Sequence, residues 1–227
     1  MLDNNIRKQI LSLINREVVP AVGCTEPMAV SLCTARAKEI LKEIPEKITV
    51  LLSANILKNA MGVGIPGTGM IGLPISIALG AIIGKSKYQL EVIKDISPES
   101  LEMGKKYVCE KHIEISLKPN ITEKPGDNKS TAIISGSHTN FIYEELNGKV
   151  LLDKLNDTNS DSEETDISLN MKMVWDFAMT SPIEELKFIL KTKEYNLKAA
   201  QESLKGNYGH CLGKTMDRPL SRGIFGN

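Results

Sequence analysis

Asn59–Gly84, NAMGVGIPGTGMIGLPISIALGAIIG, decides how this chain folds. The stretch has no charged residue, and about 20 apolar residues are enough to span a bilayer. Gly62, Gly64, Gly67, Gly69 and Gly72, with Pro66, argue against a membrane helix, because a turn this rich in glycine leaves many backbone N–H groups that lipid cannot satisfy. The segment predicts a loop buried in protein, followed by a helix that is apolar on every side and belongs at the centre of a core. Asn55, Lys58 and Asn59 stand just before the loop and can converge on a ligand. Polar side chains beside many free N–H groups predict an anion-binding site.

Working outward, 28 Lys and Arg balance 28 Asp and Glu, so neither a nucleic acid nor an anionic membrane is expected as partner. The first residues, MLDNNIRKQILSLINREVV, are amphipathic with scattered charges, unlike a signal or transit peptide. Cys24, Cys33, Cys109 and Cys211 lie far apart without a Cys-x-x-Cys pair, which points to reduced thiols and a cytoplasmic chain.

Helix periodicity runs through Ile6, Ile10, Leu13, Ile14 and Val18. Thr25 is placed to N-cap a second helix with Pro27 in its first turn, and Pro45 ends it. Residues 48–54 read as a short strand, Ser97-Pro98-Glu99 as the start of a helix reaching Cys109, and residues 113–117, 130–135 and 138–146 as strands. Asn147-Gly148 predicts a tight hairpin into residues 149–152. The acidic, polar stretch 153–168 reads as a linker or mobile loop. Helices follow, one capped at Ser181-Pro182 and the last ending at Gly206. The expectation is an α-rich α+β fold: helices at both ends, a buried glycine-rich loop and a small mixed unit in the middle. Its divisions fall at residues 1–87, 88–152, 153–168 and 169–227.

Cys24 precedes a helix start, so it reads either as a thiolate favoured by free N–H groups, able to ligate metal or attack carbon, or as a buried structural cysteine. Cys33 falls on an apolar helix face and reads as core. Cys109 reads as inert, and Cys211 beside His210 is a weak metal candidate. Gly62-x-Gly64-x-x-Gly67 matches a dinucleotide fingerprint, but several residues separate it from the strand end and no second βαβ unit follows. Ser137-His138-Thr139-Asn140 places four polar side chains at a predicted strand start, either solvated or gathered around a ligand, with His138 able to act as a base. The acidic pairs Glu144-Glu145 and Glu184-Glu185 read as solvated faces.

Val19-Pro-Ala-Val-Gly-Cys24-Thr-Glu26-Pro27 and Asn55-Ile-Leu-Lys58-Asn59-Ala-Met-Gly-Val-Gly-Ile-Pro-Gly67-Thr68-Gly69 together resemble the L-cysteine desulfidases and the related α chain of iron–sulfur L-serine dehydratase. Gly136–Asn140, Tyr208-Gly209 and Leu212-Gly213-Lys214 fit the same order. The resemblance implies α,β-elimination from L-cysteine or L-serine to pyruvate, ammonia, and sulfide or water. Its cofactor would be an oxygen-sensitive [4Fe–4S] cluster, with Cys24 as metal ligand. It implies Lys58 or His138 as base, and substrate contacts from Glu26, Asn55, Asn59, Gly67, Thr68, Gly69, Ser137, Thr139 and Asn140. Family members are nearly twice this length, with further cysteine ligands in a C-terminal half. The chain is therefore expected to be a fragment, an interrupted gene product or one part of a split enzyme, working as a homo-oligomer or with a complementary half. The rival reading is a non-catalytic amino-acid-binding or assembly module.

Overall fold

The computed structural model describes residues 2–110, 112–117, 128–155 and 167–206. Two compact units emerge: residues 19–165, and residues 1–18 together with 166–227. The divisions drawn at residues 87 and 88 from the change in composition do not separate bodies, because the glycine-rich region and the mixed region share a core.

In the larger unit, α2 (Thr25–Leu41) is capped by Cys24 rather than by Thr25. It stops at Lys42, which turns left-handed three residues before Pro45. After β1 (Ile48–Leu52), a helix absent from the sequence reading, α3 (Ala54–Ala60), is capped by the Ser53 side chain, which accepts from the Ile56 N–H. A two-strand hairpin, β2 (Gly64–Ile65) with β3 (Met70–Ile71), then leads into α4 (Leu73–Ile82). Every residue of α4 from Ile75 to Ala81 is buried, as an all-apolar helix requires. A kinked 3-10 turn (Ser86–Glu91) and α5 (Pro98–Cys109) follow. Both hydroxyls of the Ser97/Ser100 capping box are engaged at the α5 start.

The glycine region is therefore a hairpin, buried chiefly through Ile65 and Thr68 and otherwise at the surface. Its turn satisfies itself: Thr68 Oγ1 donates to the Ile65 carbonyl at 2.6 Å and accepts from the Met70 N–H at 2.9 Å. With those bonds made inside the turn, the segment has no need of deep burial.

β4 (Ile113–Leu117) pairs in parallel with β1. β5 (Ser130–Ile134), β6 (Phe141–Leu146) and β7 (Lys149–Asp153) form an antiparallel meander. The strand expected from His138 begins only at Phe141, because residues 135–140 close a turn in which Ser135 donates to the Asn140 carbonyl. Glu144 also departs from expectation. Successive strand residues face opposite sides, so Glu144 points inward and meets Arg36 in a fork, 2.8 Å from Nε and 2.7 Å from Nη2. Its neighbour Glu145 accepts from the Tyr143 hydroxyl.

The core is built around α2 and α4. Gly80 abuts the Ser31 carbonyl and Gly84 abuts the Ala35 side chain, so the two helices cross with backbones close together. One apolar cluster joins Met28, Leu32, Ile75 and Leu79 to Ile65, Leu90, Val92 and Ile93. A second joins Val30, Leu52, Ala60, Leu73 and Ile77 beneath β1 and β4.

The smaller unit contains α1 (Asn4–Glu17), capped by Asp3, with α6 (Met171–Thr180), a 3-10 turn (Ile183–Ile189) and α7 (Leu190–Lys205), which ends at Gly206. Arg7 of α1 pairs with Glu185 at 2.8 Å and lies over the Phe177 ring. Helices thus stand at both ends of an α+β chain. Most of the 153–168 linker reading lies outside the described residues. Among the described residues, no helix is long and apolar enough to cross a membrane.

The α2–α4 crossing yields a sharp expectation. A Cβ at Gly80 would lie 2.6 Å from the Ser31 carbonyl oxygen, whereas one at Gly64 meets nothing within 4 Å. Gly80→Ala should lower the stability by about 1–3 kcal/mol, and Gly64→Ala by no more than about 0.5 kcal/mol. Urea titration of the two variants checks the contrast.

Candidate functional site

The N-terminus of α2 gathers several of the residues singled out from sequence. Cys24 Sγ donates to Glu26 Oε2 at 3.0 Å, and Thr25 Oγ1 donates to the same oxygen at 3.2 Å. Asn59 Nδ2, from α3, donates to Glu26 Oε1 at 3.1 Å. Asn55 is one turn before Asn59 on α3 and Lys58 is adjacent to that face, so both are carried to the same side. All three are exposed.

The glycine hairpin closes in beside this cluster. Gly23 has φ 97°, and a Cβ there would lie 2.7 Å from Pro66 at the hairpin tip. Gly67, at φ 77°, faces Ile96 in the same way. Only glycine satisfies both the left-handed backbone and the close approach at these two positions. Gly67 and Gly69 stay exposed, but Thr68 does not offer its hydroxyl to a ligand because the turn consumes it.

The Ser137–Asn140 turn approaches from the sheet. β5 runs antiparallel to α2: Ser130 Oγ donates to the Ala37 carbonyl at 2.7 Å, and Cys33 Sγ to the Ala132 carbonyl at 3.1 Å. Two strand residues cover about 6.6 Å while four helix residues cover about 6 Å, so the two elements stay in step. β5 therefore runs toward the N-terminal end of α2 and stops at Ile134. The turn follows at that end of the strand. Ser137 and His138 are exposed, Thr139 half-buried, and Asn140 donates to the Ser135 carbonyl at 3.0 Å. Among the described residues no hydrogen bond joins His138 to the Cys24 cluster.

The electrostatics reverse the expectation for Cys24. Its hydrogen bond to the Glu26 carboxylate, reinforced by partial burial, raises the thiol above its ordinary 9.0 and outweighs the N–H groups of the helix start. The reciprocal bond from Cys24, then the Glu26 backbone N–H and the side chains of Asn59 and Thr25, depress Glu26 to about 2. Cys24 is therefore a neutral donor and Glu26 a fixed anion. The carboxylate's contribution to stability is in place above its ordinary 4.5 and disappears as pH falls through about 2. That of the thiol holds below 9.0 and disappears as pH rises through its raised value. Cys33 follows expectation: burial beneath β5 pushes it up to about 12.

A [4Fe–4S] cluster takes Cys thiolates at its iron corners. Among the described residues Cys24 is the one thiol at this site, Cys33 is turned under β5, and no three His, Cys, Asp or Glu converge. This donor set does not fit a cluster held by the described residues. Cys211 and His210, and the motifs Tyr208-Gly209 and Leu212–Lys214, lie outside them.

The chain is 55% identical over 229 residues to a UPF0597 protein of Bacteroides thetaiotaomicron, an overlap of 97% of this chain and 53% of that protein. A UPF0597 protein of Parabacteroides distasonis is 53% identical, covering 100% and 55%. One from Photobacterium profundum is 38% identical, covering 99% and 55%. The chain spans about half the length of the curated relatives it matches. No family model matches, and no solved structure matches. These findings correct the resemblance to L-cysteine desulfidases and serine dehydratase α chains: the relatives bear the name UPF0597 protein, and no family model supports that assignment. Of the motifs behind it, the one around Cys24 forms a helix start and the one around Gly67 a hairpin with left-handed glycines.

Because Glu26 is the largest cause of the raised Cys24 value, Glu26→Gln should free the thiol to ionise. Iodoacetamide at pH 8 should modify Cys24 severalfold faster in the variant, with Cys33 protected in both native proteins. Peptide mass spectrometry reads the two sites separately. An unchanged Cys24 rate would show that the thiol does not donate to Glu26.

Proposed function

We propose that the α2–α3 rim binds a small L-amino acid, and that the reaction carried out there is α,β-elimination from L-serine or L-cysteine. The observation that supports binding is Glu26, an anion at the rim held by Cys24, Thr25 and Asn59. A fixed carboxylate suits a substrate ammonium group. Lys58 and Asn55, together with N–H groups of the glycine hairpin, suit the substrate carboxylate. Both charges of a zwitterion thus find complements on adjacent elements.

In the elimination, Lys58 or His138 takes the Cα proton, and the released electron pair forms the Cα–Cβ double bond. The Cβ–O or Cβ–S bond breaks, and the leaving group acquires a proton as water or hydrogen sulfide. The resulting enamine tautomerises to an imine and hydrolyses to pyruvate and ammonia. Donors aimed at the carboxylate stabilise the charge that develops when the proton leaves. An iron–sulfur cofactor at this rim would take Cys24 as this chain's ligand and its other thiolates from outside the described residues. The cytoplasm is the compartment that suits free thiols at Cys24, Cys33 and Cys109.

The smaller unit favours association, with a second copy or with a complementary chain. α6 buries Phe177 on one face and exposes Met171, Val174, Trp175 and Met179 on the other, with Met171 84% and Trp175 66% exposed. A contiguous apolar face of this kind marks an interface.

Calorimetric titration of the full chain with L-serine and L-cysteine should show binding. Glu26→Gln should weaken it by about tenfold or more, since hydrogen bonds to a charged group contribute about 1.5–3 kcal/mol. Pyruvate release, followed anaerobically, separates a lyase from a binding module: binding without pyruvate retires the elimination, and absence of binding retires the site. Sedimentation tests the association. Trp175→Glu should shift the chain toward monomer, and a wild-type monomer at micromolar concentration would remove that proposal.

A further inference from the structure

β7 is the last strand of its sheet, and among the described residues it pairs with β6 alone. Its outer edge therefore presents unpaired backbone N–H and C=O groups that another strand can take up. Charges or prolines along an edge strand discourage such pairing. In Lys149-Val150-Leu151-Leu152-Asp153 the charges stand only at the two ends, with three apolar residues between them. Val150 is 47% exposed and Leu151 49%. Glu145 pairs with Val150 and Glu144 with Leu152, so Leu151, the middle residue, has no partner on β6. Lys149 and Asp153 lie about 13 Å apart along the strand, too far to meet each other. Among the described residues neither forms an ion pair, and the Asp153 carboxylate accepts from the Leu155 N–H at 2.9 Å.

We propose that β7 pairs antiparallel with β7 of a second copy of this chain, about a two-fold axis through Leu151. The strand is complementary to itself when reversed. In that alignment Lys149 stands opposite Asp153 of the second copy, Val150 opposite Leu152, and Leu151 opposite Leu151. Both ion pairs form at once, because a two-fold interface repeats each contact. Opposite charges directly across a strand pair are favourable, and like charges are not. A parallel pairing in register sets Lys149 against Lys149 and Asp153 against Asp153. A slip of one residue sets Lys149 against Leu152 in one direction and against Lys154 in the other. The charge pattern thus selects one partner and one alignment. The two meanders become one six-stranded antiparallel sheet, in the order β5-β6-β7-β7-β6-β5. The surface belongs to the larger unit, and the proposal depends neither on the α6 face nor on the amino-acid site. One strand's width is a small interface, in the class below about 1,200 Å² that forms transient complexes, so the dimer exchanges with monomer.

Disulfide trapping of the full chain tests this alignment. On the two-fold axis position 151 faces itself, with Cα atoms about 5.5 Å apart, a span that a disulfide bridges. Position 149 is separated from its own copy by four residues of strand, about 13 Å. Under mild oxidation Leu151→Cys should yield a covalent dimer, whereas Lys149→Cys should not rise above wild type, whose own thiols set the background. Peptide mass spectrometry identifies the link that joins position 151 to itself. Added to Leu151→Cys, either Lys149→Asp or Asp153→Lys should slow trapping severalfold. The two together should restore it, since the exchanged charges again meet their opposites. A folding defect would not be repaired by a second substitution at the far end of the strand. Absence of the 151-to-151 link overturns the proposal, as does trapping at position 149 as fast as at 151. So does a double exchange that stays as slow as either single one. Protection of the β7 amides from hydrogen exchange that persists on dilution to monomer means that the chain covers this edge itself, and overturns the proposal too.

Discussion

The close passage of α2 over α4 is the constraint on which the larger unit depends. Gly80 and Gly84 present no side chain, so the α4 backbone comes against the Ser31 carbonyl and the Ala35 methyl group. Interaxial distance is set by the side chains at the contact, and none is smaller than hydrogen. Ser76 fastens the two helices further, its hydroxyl donating to the Pro27 carbonyl at 2.8 Å. On the far side of α4, Gly104 lets α5 approach Ile75 and Leu79 in the same manner. The N-terminus of α2 is thereby held beside the glycine hairpin, since Pro66 rests in the space that Gly23 leaves open. The rim of the candidate site inherits its geometry from a helix crossing rather than from its own polar contacts.

Elements governed by local chemistry were legible in the sequence. The α5 start at Ser97-Pro98, the hairpin at Asn147-Gly148 and the α4 helix, buried from Ile75 to Ala81, follow from capping, turn and hydropathy rules. α3 was missed because seven residues with three polar side chains give almost no periodicity, although Ser53 marks its cap. Glu144 was misread because burial of a carboxylate depends on a partner 108 residues away, which no local pattern announces.

The site was legible in its membership and less so in its chemistry. Cys24, Glu26, Asn55, Lys58 and Asn59 were singled out, and the structure places them on two neighbouring helices. The protonation of Cys24 was misjudged because a general tendency of helix N-termini was outweighed by one carboxylate two residues on.

The Arg36–Glu144 fork has a consequence for how the meander finds its alignment. Both β5–β6 and β6–β7 pairings carry an irregularity, at Ile133/Ile134 and at Glu144/Glu145, so ladder hydrogen bonding alone tolerates more than one alignment of these strands. A slip of β6 by one residue turns Glu144 out to solvent and breaks its fork with Arg36, leaving that guanidinium, among the described residues, only Glu39, at 3.7 Å. Hydrogen bonds to a charged group contribute about 1.5–3 kcal/mol and a typical ladder bond about 0.5–1.5 kcal/mol, so the slip loses more than it regains. Arg36 thus works as a proofreader of strand pairing: it rejects misaligned sheets during assembly, and its value lies in the conformations it forbids.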